Sequence, residues 1–144
     1  MKLTTYLNFP GNCEEALHFY EKHLDAKIVM LGRFSEMNST GGPQNLPPGL
    51  SPNGIVHARI KVGDTLLMAS DGPPERVQPM RSAYLTLSVD SNEEAERIYN
   101  ALTDGGEIFM KLEETFFAHR FAQCRDKFGA NWMIIHEKQM ARNG

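Results

Sequence analysis

Two segments of this chain repeat one pattern, and the repeat limits what the chain can fold into. EEALHFYEKHLDAKIVM (14–30) aligns with EEAERIYNALTDGGEIFM (93–110): Glu14, Glu15, Ala16 and Tyr20 match Glu93, Glu94, Ala95 and Tyr99. Met30 then matches Met110 after one inserted glycine. Self-similarity at this distance marks a duplicated supersecondary unit, so each copy must bury equivalent faces in the same order.

The flanking residues give that order. LTTYLNF (Leu3 to Phe9) alternates and is rich in β-formers, so it reads as a strand broken by PGN. Asn12 followed by Glu15 has the spacing of an N-cap and its N3 partner. Cys13, Ala16, Leu17, Tyr20 and Leu24 then form one apolar helical face ending near Asp25. KIVMLGRF reads as a second strand, and Met37 to Asn53, rich in Gly, Pro and Asn, as a long loop. In VHARIKV, Val56, Ala58, Ile60 and Val62 are expected on one face and His57, Arg59 and Lys61 on the other. Gly63-Asp64 turns the chain into TLLMASD.

DGPPERVQPM cannot be helical, because three prolines in ten residues remove donors and clash with the preceding turn. YLTLSVD then opens the second copy, with Ser91 and Glu94 as a capping box and Ala95, Ile98, Tyr99 and Leu102 as the helical apolar face. Gly105-Gly106 stops the helix. EIFMKL is a strand, 113–118 a connector, and HRFAQCRD, KFGA and NWMIIHE form a closing hairpin. The fold class is α+β: two βαβββ modules forming curved mixed sheets around a cavity between their open faces. The modules are expected at 1–71 and 82–138, with a linker at 72–81 and a tail at 139–144.

Composition narrows the partners. Fifteen basic residues against eighteen acidic give a net charge of −3 with no block of one sign, which disfavours nucleic-acid and anionic-membrane surfaces. The start, MKLTTYLNFPGNCEEAL, has no apolar leader core, and no segment approaches the roughly 20 apolar residues of a membrane span. A cytoplasmic protein is the expectation. Cys13 and Cys124 are too few for a disulfide framework or a zinc motif, and read as buried thiols.

Three stretches carry a family resemblance across nearly the whole chain: PGNCEEALHFYEKHLDAK, HARIKVGDTLLMASD and ETFFAHRFAQCRDKFGANWMI. With the duplicated βαβββ order, they resemble the vicinal oxygen chelate (glyoxalase/bleomycin-resistance/dioxygenase) superfamily. The last stretch is similar to its PhnB-like branch, some of whose members carry a demethylubiquinone methyltransferase-like name. Phe117 stands where the branch often has Trp, Ala122 where it has Gly, and Ala130-Asn131 where it has Val-Pro. The resemblance implies a homodimer and a divalent metal held by His, Glu or Gln from the first and last strand of each module. The matching positions here are Thr5, Met68, Tyr84 and Met133, none a ligand for such an ion, so no metal and no cofactor is expected.

Other chemistry is sparse. His57 and Arg59 suit a proton donor and an anion clamp. Phe116, Phe117, His119 and Arg120 suit a pocket that stacks a flat ligand and pairs with an acidic group. Asp71, Glu113 and Glu114 are acidic strand ends where burial would make a general base, and His57, Asp71, His119 and His136 are the residues from which a non-standard metal set would come. A nucleophilic Cys124 would need a base beyond Asp126. A site for S-adenosylmethionine is not indicated, since PGN is only a turn before a capped helix. The ligand-binding candidates are therefore Thr5, His57, Arg59, Met68, Tyr84, Phe116, Phe117, His119, Arg120 and Met133, with His57 and His119 as catalytic candidates. The expected function is to bind a small apolar or aromatic molecule; the alternative is a lyase, isomerase or dioxygenase using a non-standard metal or acid–base set.

Overall fold

The computed structural model describes residues 1–40 and 46–139, with only the backbone for 38–40. Residues 41–45 of the expected loop and 140–144 of the expected tail lie outside the described residues. The chain divides into two compact units, Met1–Gln78 and the residues from Pro79 onward.

The first unit runs β1 (Tyr6–Phe9), α1 (Cys13–His23), β2 (Ala26–Arg33), β3 (Ile55–Val62) and β4 (Thr65–Asp71), with a 3-10 helix at Phe34–Thr40. Its sheet has the order β1-β4-β3-β2, with β1 parallel to β4 and the other pairs antiparallel. The second unit runs β5 (Leu85–Ser88), α2 (Asn92–Thr103), β6 (Glu107–Glu113), β7 (Ala118–Arg125) and β8 (Asn131–Glu137), in the equivalent order β5-β8-β7-β6. Both copies therefore have the βαβββ plan and mixed sheets expected from the repeat. No described helix is long and apolar enough to cross a membrane.

Each helix covers one face of its sheet. In the first unit Leu7, Phe9, Ala58, Ile60, Leu67 and Ala69 are buried with Cys13, Ala16, Leu17 and Tyr20 of α1. In the second, Ala122, Cys124, Trp132 and Ile134 are buried with Ala95, Ile98 and Leu102 of α2. Burying a Leu, Ile or Phe side chain contributes about 1.5–3 kcal/mol, so these faces hold each unit together. The opposite, open faces carry the remaining strand residues.

The duplication extends to an irregularity. The β2–β3 register skips between Ile28 and Met30, and the β6–β7 register between Ile108 and Met110. Val29 and Phe109 are thus equivalent bulge residues, each exposed. A bulge in both copies is a feature of the unit, because extra residues bend and twist a strand locally.

Several expectations need correction. The first strand begins at Tyr6, although the Thr5 carbonyl still accepts from the Met68 amide at 3.0 Å. A register skip at the start of β3 places Ile55, fully buried, where Val56 was expected. The stretch expected as loop from Met37 begins inside a 3-10 helix. Asn12 makes no side-chain cap bond, and its Oδ1 has no hydrogen-bond partner among the described residues. Asp71, at the end of β4, instead accepts from the Cys13 amide at 2.8 Å and from the Ile55 amide at 2.8 Å. The second helix does use its cap: Ser91 Oγ accepts from the Glu94 amide at 3.1 Å.

Glycine is required at Gly106 by space. A Cβ there would lie 2.1 Å from the Arg125 carbonyl oxygen and 3.1 Å from Asp126 Cα, a clash with backbone that no side-chain motion relieves.

The closing hairpin is tied by a buried carboxylate. Asp126 accepts from the Phe128 amide at 2.9 Å, the Ala130 amide at 3.0 Å and Trp132 Nε1 at 2.8 Å. Leaving buried donors unpaired costs about 1–3 kcal/mol each. Asp126→Ala should therefore lower unfolding free energy by about 3 kcal/mol or more, read as a reduced midpoint in urea with an unchanged slope.

Candidate functional site

The open faces hold most of the residues singled out from the sequence. Across the first sheet, Tyr6 is in register with Met68, Met68 with Arg59, and Arg59 with Met30. Across the second, Thr86 is in register with Met133, Met133 with Gln123, and Gln123 with Met110. Paired residues in a sheet share a face, so each sheet carries a row of two methionines flanking one polar residue. Tyr6, not Thr5, lies beside Met68, and Thr86, two residues beyond Tyr84, lies beside Met133.

Around the first row the face is polar. Tyr6 Oη lies 3.2 Å from His57 Nδ1, with ring centroids 5.7 Å apart. Arg59 and Lys61 follow on the same face of β3, both exposed. Around the second row the face is apolar. Phe121 is opposite Ile135, Phe117 sets its edge on Phe121 at 5.1 Å, and Phe116 follows at 5.2 Å. Tyr84 meets Phe109 edge-on at 6.5 Å, and Arg125 lies 5.2 Å over the Phe109 ring.

The ETFFAHRF stretch is divided by strand alternation. Phe117 and Phe121 join the open face, whereas Arg120 shares the helix side with Ala122 and Cys124 and reaches Glu96 of α2 at 3.5 Å. His119 is exposed at a register skip, its ring 4.7 Å from that of His136. His136 Nδ1 lies 2.8 Å from Oδ1 of Asn92, the first residue of α2. Asp71 makes the equivalent tie to Cys13, the first residue of α1. Both Asp71 and His136 lie three residues beyond the row methionine, so they occupy the same position in the two copies. This marks both as structural pins between strand end and helix start, a role visible only once the register is known.

The acidic candidates are similarly engaged. Lys138 hydrogen-bonds Glu114 at 2.9 Å and holds its carboxyl below the usual carboxylate range, the opposite of what a general base near neutral pH requires. Glu113 is opposite Phe121 at the exposed end of β6. Burial pushes the Cys124 thiol up to about 11, with the charge of Asp126 adding to the effect, and burial also raises Cys13.

A metal of the kind the resemblance implies would have to be held by the row residues and their neighbours. Met68 and Met133 offer soft thioethers, and Tyr6 and Thr86 beside them offer hydroxyls. Among the described residues no group of three or more His, Cys, Asp or Glu is placed to hold an ion. The row residues do not fit a hard or borderline divalent metal.

Comparison with known proteins agrees with the architecture. Residues 1–135 match a family described as 3-demethylubiquinone-9 3-methyltransferase. Protein YjdN of Escherichia coli strain K12 is 34% identical over 143 residues, covering 96% of this chain and 97% of YjdN. The crystal structure of PA1353 from Pseudomonas aeruginosa is 36% identical, with a TM-score of 0.79 over 96% of this chain and 99% of PA1353. A PhnB protein from Bacillus cereus is 26% identical, with a TM-score of 0.76 over 94% of this chain and 99% of that one.

The chain belongs to the family described as 3-demethylubiquinone-9 3-methyltransferase, is PhnB-like, and has the glyoxalase/bleomycin-resistance/dioxygenase fold.

The family description of this PhnB-like chain implies a methyl donor. S-adenosylmethionine is usually seated by a glycine-rich loop following a strand of a parallel sheet, where a helix N-terminus offers free amides. Here each sheet has a single parallel pair, and the amides of Cys13 and Glu94 are already bonded to Asp71 and Ser91. These residues do not fit that cofactor. A thiol-labelling reagent at pH 8 should leave Cys13 and Cys124 essentially unmodified in the native protein and label both after denaturation. Fast native labelling would contradict the raised thiol values.

Proposed function

We propose that this protein binds a small apolar or aromatic molecule on the open face of its second sheet, without a resident divalent metal. The observation that carries the reading is the face around Met133, built from Tyr84, Phe109, Met110, Phe117, Phe121 and Ile135. Its aromatic edges supply stacking surface, and its methionines adapt to ligands of differing shape. Small-molecule sites are mostly apolar surfaces with a few placed polar groups, and Gln123 and Arg125 would be those groups here. The free thiols of Cys13 and Cys124 are compatible with action in the cytoplasm.

Neutral aromatic amides such as 2-naphthamide should raise the melting temperature. A ligand at 100 times its dissociation constant stabilises by about 2.7 kcal/mol. The shift should survive EDTA and disappear in Phe121→Ser, whose stability without ligand is measured alongside. A shift that requires added metal, or stoichiometric Zn, Ni, Mn or Fe in untreated protein, would overturn the reading.

Self-association as a homodimer is part of the same proposal. It is supported by the exposure of Val29, Ile108 and Phe116, the last 85% accessible. Light scattering should then return twice the 16.2 kDa of one chain, and one chain's mass would exclude the dimer at the concentration used.

A further inference from the structure

The two sheets share one scaffold but present opposite chemistry at equivalent positions. Arg59 occupies the place in the first row that Gln123 occupies in the second. Two residues earlier on the same strands stand His57 and Phe121. The scaffold accepts Gln and Phe at these places, so it does not itself require Arg59 or His57.

We infer that the open face of the first sheet recognises a small carboxylate carried on an aromatic body, with Arg59 as the anchor and His57 as a second donor. The inference rests on the binding reading above and extends it to the other sheet and to a charged ligand class. Three observations carry it. First, the face offers donors. Tyr6 Oη lies 3.2 Å from His57 Nδ1. With the phenol donating to that nitrogen, the neutral imidazole carries its proton on Nε2 and offers it as a donor, and the protonated ring offers one there as well.

Second, the positive charge on this face is not neutralised within it. Arg59 and Lys61 are exposed and have no ion-pair partner among the described residues. The one acidic residue in the four strands is Asp71, which is buried and committed to two backbone amides. Third, the neighbours of Arg59 suit an aromatic body. Met68 lies on one side and Met30 on the other, with the 49%-exposed Tyr6 ring beyond Met68. Directly opposed residues on neighbouring strands have Cβ atoms about 4.5–5.5 Å apart, so one planar carboxylate can engage the Arg59 fork while its ring lies over the thioether of Met68.

The test is isothermal titration of the full chain with 2-naphthoate and its neutral isostere 2-naphthamide. Wild type, Arg59→Gln and Gln123→Arg are compared, and melting temperatures are recorded for each. The expected result is at least a tenfold loss of naphthoate affinity in R59Q, with naphthamide affinity and melting temperature unchanged. Addition of naphthoate to wild type should also shift the His57 Nε2 resonance. Naphthoate affinity in R59Q within twofold of wild type overturns the inference, as does naphthoate binding no tighter than naphthamide in wild type. If naphthamide binding is present and lost in Phe121→Ser while R59Q has no effect, this inference alone fails. If neither compound binds wild type, it falls together with the apolar-binding reading.

Discussion

A four-stranded sheet carrying one helix buries one face and leaves the other uncovered, and much of this chain follows from that imbalance. The helix side is closed by apolar packing and by a pin at the strand end. Asp71 holds the start of α1, and His136 holds the start of α2. Once that side is closed, folding places few demands on the open side. Its positions are free to differ between the copies, and they do: His57 against Phe121, Arg59 against Gln123, Ser70 against Ile135.

The pins also bear on how chemical groups are read. His136 and Asp71 have the residue types of metal ligands or acid–base groups, yet their atoms are occupied in holding the fold together. Arg120 has the charge of an anion clamp and is spent on Glu96 across the helix side. The groups left with unspent capacity are the plainer ones: the paired methionines of each row, the edge-on rings of Phe116, Phe117 and Phe121, and an arginine without an ion-pair partner among the described residues.

The sequence made the scaffold legible because its signals are local. The helical spacing of Ala16, Leu17 and Tyr20, the alternation of β3 and the Ser91 cap are each readable within a few residues. The failures have one common cause, a partner far away in the chain. Asn12 has the right spacing for a cap but makes no cap bond, and the start of the helix is held by Asp71, which accepts from the Cys13 amide 58 residues away. Register skips at Val29, at Phe109 and near His57 are invisible to a period of two, because they show only once β2 is paired with β3 and β6 with β7. The roles of His119 and Arg120 likewise depended on which side of β7 each would occupy. The polar character of one open face and the apolar character of the other become apparent only after the strands are paired.

The repeated bulge has a further consequence, for solubility. The outermost strand of a sheet offers unpaired amides and carbonyls to any other chain, and a long flat edge is a template for fibrils. In both units the outermost strand on one side, β2 or β6, is interrupted by the extra residue Val29 or Phe109. On the other side, β1 and β5 are only four residues long. A strand from another molecule therefore meets a broken ladder at one margin and a very short one at the other. By copying the interruption along with the unit, the duplication gave each sheet its own brake on open-ended growth.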